Sequence, residues 1–148
     1  QENCVIHQFP GIEVMLKEGA HVGHGAIIHG ATLGRNCLIG MNSVVMDNVE
    51  IGDECIIGAL SFIKSDEKIP RRSLVAGNPA RIIKEVTDEM ISWKTEGTRL
   101  YQALPAQMQA SFIRVCRCGS PRLTARCSRK ITENGEAKEL NRSLIFVA

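Results

Sequence analysis

The sequence predicts an all-β fold, a parallel β-helix, with a C-terminal helix behind it. Three observations carry this prediction. An aliphatic residue recurs every six positions, at Leu16, Val22, Ile28, Leu33, Ile39, Val45, Ile51, Ile57 and Ile63, with one five-residue step from Ile28 to Leu33. Four residues after each of the first eight leaders stands a mostly small side chain: Ala20, Ala26, Thr32, Cys37, Ser43, Val49, Cys55 and Ser61. Finally, 44% of the chain is hydrophobic but only 4% is aromatic, so the core is aliphatic.

A period of six is neither the 3.6 of a helix nor the 2.0 of an ordinary strand; it is the signature of a parallel β-helix. Each six residues make a short strand and a corner. The leader points inward, the small residue fills the corner, and the glycine that often follows the leader permits backbone conformations that a Cβ forbids. Three strands close a triangular coil of ~18 residues, and coils stack at ~4.8 Å. Cys37 and Cys55 occupy the small inward slot one coil apart, and Cys4 fits the same slot upstream. These cysteines read as small core residues rather than a disulfide framework, which points to a reducing, cytoplasmic setting.

Beyond Ile63 the repeat decays. Ser73–Ala76 is expected as a last strand and Gly77-Asn78-Pro79 as a turn, which gives a β-helix over 1–80. A helical segment is expected over 81–113. Thr87 is its N-cap, Asp88 and Glu89 suit its first turn, and Met90, Trp93, Gly97, Leu100, Tyr101 and Leu104 recur at helical spacing. That stripe predicts packing against the prism or a neighbouring subunit, and Pro105 is expected to end the first part of the helix, with Ala106–Ile113 able to resume helically. Residues 114–148 are expected as a basic tail with no assignable period, closing at Ser143–Ala148 in a short strand or an apolar, sticky end. Charge follows the same division: residues 1–110 carry 10 Lys/Arg and 13 Asp/Glu, net −3, whereas 111–148 carry 8 and 3, net +5. The tail reads as a solvated terminus rather than a surface for nucleic acid or membrane. No apolar run approaches the ~18 residues of a spanning helix. The first residue is Gln1, which suggests a fragment or processed product.

All four histidines fall within the first 30 residues. His7 and His29 each follow a leader and lie 22 residues apart, one 18-residue coil plus four. An excursion at Gln8-Phe9-Pro10-Gly11 accounts for the four, because Pro and Gly favour a loop. The two histidines are then expected at one corner of adjacent coils, close enough to share a metal. His24 faces outward on the preceding face, so a neighbouring subunit is expected to bring it to the same ion. Three histidine ligands leave a position open, as a catalytic zinc site requires. His21 reads as surface or as support behind the ligands.

The segments Gln1-Glu2-Asn3-Cys4-Val5-Ile6-His7, His21-Val22-Gly23-His24-Gly25-Ala26-Ile27-Ile28-His29-Gly30 and Gly40-Met41-Asn42-Ser43-Val44-Val45-Met46-Asp47 resemble the gamma-class carbonic anhydrase family. The match is strongest to its branch of phenylacetate-degradation and carnitine-operon hexapeptide proteins. Val75-Ala76-Gly77-Asn78-Pro79-Ala80-Arg81 and the stretch from Trp93 to Gln102 are similar to that branch too. The resemblance spans about residues 1–113. It implies a left-handed β-helix, a homotrimer and metal sites shared between subunits, with His7, His24 and His29 as ligands. Gln1 matches the family's active-site glutamine, and Tyr101 matches a helix position that approaches the site in some members. Family members carry further coils before the position of Gln1, including an Arg-x-Asp element, so the resemblance implies an amino-terminally truncated chain.

The expected chemistry is a lyase reaction, reversible hydration of CO2 to bicarbonate. Zinc is the default metal, and imidazole ligands suit iron or cobalt as well. Glu2 and Glu13 are the candidates for moving the proton. Hydrolysis of a CoA thioester, hexapeptide acyl transfer and a non-enzymatic trimeric assembly subunit are the alternatives.

Overall fold

The computed structural model describes residues 1–111. The basic tail and its expected terminal strand lie outside the described residues. Numbered in chain order, the strands form three parallel sheets. One sheet stacks β1 (Val5–His7), β4 (Ile27–His29), β7 (Val44–Val45) and β10 (Phe62–Ile63). The second stacks β2 (Met15–Leu16), β5 (Thr32–Leu33), β8 (Glu50–Ile51) and β11 (Lys68–Ile69). The third stacks β3 (His21–Val22), β6 (Leu38–Ile39), β9 (Ile56–Ile57) and β12 (Ser73–Gly77), with β13 (Ala80–Glu85) folding back antiparallel on β12. Helix α1 runs Asp88–Ser111. The result is a β-solenoid of about four turns.

The leaders build the core. Ile28, Leu33, Ile39, Val45 and Ile63 are fully buried, with Cys37, Ser43 and Cys55 beside them in the corner slots. Cys37 Sγ donates to the Gly52 carbonyl and Cys55 Sγ to that of Pro70, each at 3.0 Å, so the same corner contact repeats one coil on. Hydrogen bonding to Cys55 and burial push the Cys37 thiol up, away from thiolate chemistry. At the first coil the leaders lose their cover: Ile6 and Leu16 are exposed.

Two details of the repeat differ from expectation. In the five-residue step the buried small residue is Ala31, not Thr32, which sits in β5. The slot is set by its distance before the next leader, because the chain must reach the corner before it turns inward. The glycines after the leaders serve close approach instead of unusual torsions. A Cβ on Gly52 would lie 2.5 Å from the Arg71 nitrogen, and one on Gly34 2.5 Å from the Gly52 carbonyl carbon. The left-handed torsions fall further along each corner, at Asn36, Asn42, Asn48, Glu54, Leu60, Asp66 and Arg72. Asparagine and aspartate tolerate that region; leucine and arginine do so at a cost.

Two further differences lie in the C-terminal half. The segment 81–113, expected as helical, opens with strand β13, because the turn at Gly77-Asn78-Pro79 returns the chain along β12 and Ile82 and Ile83 suit a strand. The Asn78–Pro79 peptide is cis. Helix α1 also continues through Pro105 to Ser111. Thr87 does accept the Met90 amide at 3.3 Å, as an N-cap should. Among the described residues no helix is long and apolar enough to cross a membrane.

Candidate functional site

The sequence-predicted residues gather in two groups on the described part of the chain. The first is a histidine pair. His7 and His29 are register partners in β1 and β4. The excursion between them closes as a turn, with the Ile12 amide on the Phe9 carbonyl at 3.1 Å and Gly11 at φ +84°. Proline at the second position and a positive-φ glycine at the third are what a type II turn demands. The imidazoles stack with centroids 5.1 Å apart, and His7 Nδ1 lies 3.1 Å from His29 Nε2. The other nitrogen of His29, Nδ1, donates to Asp47 Oδ1 at 2.7 Å. Phe9 from the excursion covers His29 edge-on at 5.4 Å.

The second group centres on His21 and His24. The Gln1 Oε1 atom accepts the His24 backbone amide at 2.9 Å, and Gln1 Nε2 sits 2.6 Å from His21 Nε2. His21 Nδ1 lies 3.0 Å from the Thr98 hydroxyl on α1. Glu2 Oε2 pairs with His24 Nδ1 at 2.7 Å. The Tyr101 ring stands edge-on to both histidines, at 5.1 Å from His21 and 6.1 Å from His24. A cavity of about 340 Å³ opens beside Gln1, His21 and Tyr101, walled on its apolar side by Val22, Leu104 and Met108. Burial, with the Lys94 charge behind it, lowers the His21 pKa below the ordinary imidazole value.

Fit to a metal can be tested on the first group. Two nitrogens bound to one tetrahedral zinc at ~2.05 Å lie ~3.3 Å apart, and the His7–His29 separation is 3.1 Å. A ligating histidine commonly gives its second nitrogen to a carboxylate, which is the bond from His29 to Asp47. The pair therefore fits a shared ion. The described residues of one chain do not bring a third His, Cys, Asp or Glu into such a cluster. His24, with Gln1 and Tyr101, belongs to the other group.

Sequence reasoning missed Asp47 and Thr98. Asp47 had a signal, since it lies 18 residues after His29, one coil on. Thr98 shares a helix face with Lys94 and Tyr101, at spacings of four and three. The apolar spacing drew attention to a different face: Lys94 and Thr98 are the buried residues of α1, whereas Trp93 is 69% exposed.

Repeat, register and corner slots define a hexapeptide-repeat β-solenoid, and residues 30–65 match the family described as "Bacterial transferase hexapeptide (six repeats)". Within that class, the chain is similar to the carnitine operon protein CaiE of Escherichia coli O7:K1, at 41% identity over 112 residues, covering 76% of this chain and 57% of the relative. CaiE of Salmonella agona is 43% identical over 104 residues, covering 70% and 52%. The chain thus spans little more than half the length of the curated relatives it matches. Among solved structures, a hexapeptide transferase family protein from Anaplasma phagocytophilum superposes with a TM-score of 0.68 at 30% identity, over 72% of this chain and 63% of that one. A putative acetyltransferase from Bacillus cereus does so at 0.59 and 34%, over 68% and 63%. The repeat match and these likenesses support a left-handed β-helix for the chain.

Proposed function

We propose that the chain is one subunit of a homotrimer that hydrates CO2 reversibly at metal sites shared between subunits. His7 and His29 of one subunit bind the metal, zinc by default and iron or cobalt by ligand type, and His24 of a neighbour completes the set. The observation that carries this reading is the His7–His29 pair, 3.1 Å between nitrogens with Asp47 behind His29. Zinc in such a set acts as a Lewis acid that makes water reactive near neutral pH. The protein's own groups do the rest. Asp47 holds the proton on His29 Nδ1 and so aims Nε2 outward. Glu2 does the same for His24 through Nδ1. Gln1 presents an amide that orients the substrate, and Tyr101 closes the wall beside it.

A second reading is handling of a CoA thioester, by metal-dependent hydrolysis or by hexapeptide acyl transfer. It is favoured by the likeness to the Bacillus cereus protein, a putative acetyltransferase, and by the apolar wall of the cavity beside Gln1.

Metal analysis and two assays on the same preparation decide between them. Stopped-flow CO2 hydration should be metal-dependent, and Asp47→Asn should weaken metal binding about 10- to 100-fold, the usual effect of losing a supporting carboxylate. Equal hydration after complete metal removal refutes the proposal. Thiol release from acyl-CoA without CO2 hydration moves the assignment to the second reading.

A further inference from the structure

The geometry points to His21, held from behind by Thr98 of helix α1, as the positioning residue that fixes which way the Gln1 amide faces. This role rests on the reading of Gln1 as the substrate-orienting amide.

Donor and acceptor roles are fixed from both ends. A backbone N–H can only donate, so the Gln1 atom 2.9 Å from the His24 amide must be the carbonyl oxygen. The other end of the side chain is then the NH2 group, 2.6 Å from His21 Nε2. An NH2 group only donates, so His21 Nε2 must be the bare, accepting nitrogen. A neutral imidazole with a bare Nε2 carries its proton on Nδ1. Nδ1 faces the Thr98 hydroxyl at 3.0 Å, and that hydroxyl donates its own proton to the Lys94 carbonyl at 3.1 Å. Its oxygen is therefore free to accept from His21. Every member of the line from the helix carbonyl to the His24 amide has one consistent role.

The line joins two elements that the repeat alone does not connect. His21 lies in β3 and Thr98 in α1, 77 residues apart. Thr98 is 8% exposed, so water does not compete freely for its hydroxyl. The lowered pKa of His21, from burial first and the Lys94 charge next, keeps the imidazole neutral as the line requires. If His21 carried its proton on Nε2 instead, the Gln1 amide would have to turn over. It would then point NH2 at the His24 amide, two donors facing each other. The helix thus sets the amide's direction without touching it.

Long-range 1H–15N correlation on the labelled chain near neutral pH reads the tautomer directly, with or without metal. The expected spectrum shows His21 with Nδ1 protonated and Nε2 bare. Thr98→Val removes the acceptor and should shift His21 toward the Nε2-protonated form, moving the His24 amide resonance with it. Thr98→Ser keeps the hydroxyl and should restore both signals. In the CO2 assay, T98V should lower kcat several-fold at unchanged metal content, and T98S should recover it. An Nε2-protonated His21 in the unaltered chain overturns the proposal, as does a T98V tautomer identical to it. Should T98V fail to fold, the tautomer of the unaltered chain decides. A chain that shows the expected tautomers and their T98S rescue but turns over no CO2 retains the positioning line and loses the carbonic-anhydrase reading instead.

Discussion

Gly52 and Leu60 stand at successive corners of the solenoid and are tolerated for opposite reasons. Gly52 has an ordinary backbone torsion but no room: an added Cβ would meet the Arg71 backbone nitrogen at 2.5 Å. Leu60 has room, being 72% exposed, but sits at φ +59°. Steric overlap with a rigid backbone cannot relax cheaply, whereas a left-handed torsion costs about 1–2 kcal/mol in a residue with a Cβ. Gly52→Ala should therefore destabilise by at least ~1–3 kcal/mol. Leu60→Asn should stabilise by about 0.5–1 kcal/mol, since asparagine visits that region more readily. Urea unfolding midpoints measure both. Equal and small shifts would mean that the coils slide apart to make room at Gly52. The repeat marks both positions but not their roles, because a glycine kept for space and one kept for torsion look alike in sequence.

At the scale of the element, helix α1 was legible in its start but not in the face it lays on the solenoid. Thr87, Asp88 and Glu89 announce the N-terminus, and Arg72 pairs with Asp88 there. The face packed on the solenoid is polar, built on Lys94 and Thr98, so apolar spacing does not reveal it. Lys94 is 3% exposed and gives Nζ to the Gly19 carbonyl and to Asn36 Oδ1, both at 2.6 Å. Gly19 and Asn36 are left-handed corner residues of stacked coils, so one side chain ties the helix to two coils. A neutral amine has two N–H groups, which those two acceptors satisfy. Burial accordingly lowers the Lys94 pKa from 10.5 to about 8. Between those values the unfolded chain holds more protons than the folded one, so this group's contribution to stability rises with pH across that window. Below about pH 8 the contribution is level, at its least favourable. Lys94→Met strands two acceptors and should cost about 1–3 kcal/mol. The stability gap between the unaltered chain and K94M should also be wider at about pH 9.5 than at about pH 7.5, as measured by denaturant titration. A gap independent of pH would show that Lys94 stays charged in the folded chain.

For the molecule as a whole, the coil count, the sheet to which each strand belongs and the pairing of His7 with His29 could all be worked out from residue spacing, because a solenoid converts sequence distance into height and angle. Ladder partners 17, 18 or 22 residues apart follow from the six-residue step, its one shortening and the Gln8–Gly11 excursion. What spacing cannot supply is contact across a subunit boundary, and the proposed three-histidine site depends on that. The histidine pair and the Gln1–His24 group form separate clusters on the described chain. If they meet, they do so between copies, through a heterologous interface that closes into a ring. This has a consequence that no single-chain site shares. In the proposed homotrimer, His7→Ala and His24→Ala would each damage every site, so each pure variant should lose metal and activity. Co-refolded in equal amounts, they should recover roughly a quarter of the sites, those where an H24A subunit supplies His7 and His29 and an H7A neighbour supplies His24. Metal per trimer and CO2 hydration should rise together on mixing. Each lost ligand would stay lost if the site closed within one chain, and mixing would then recover nothing.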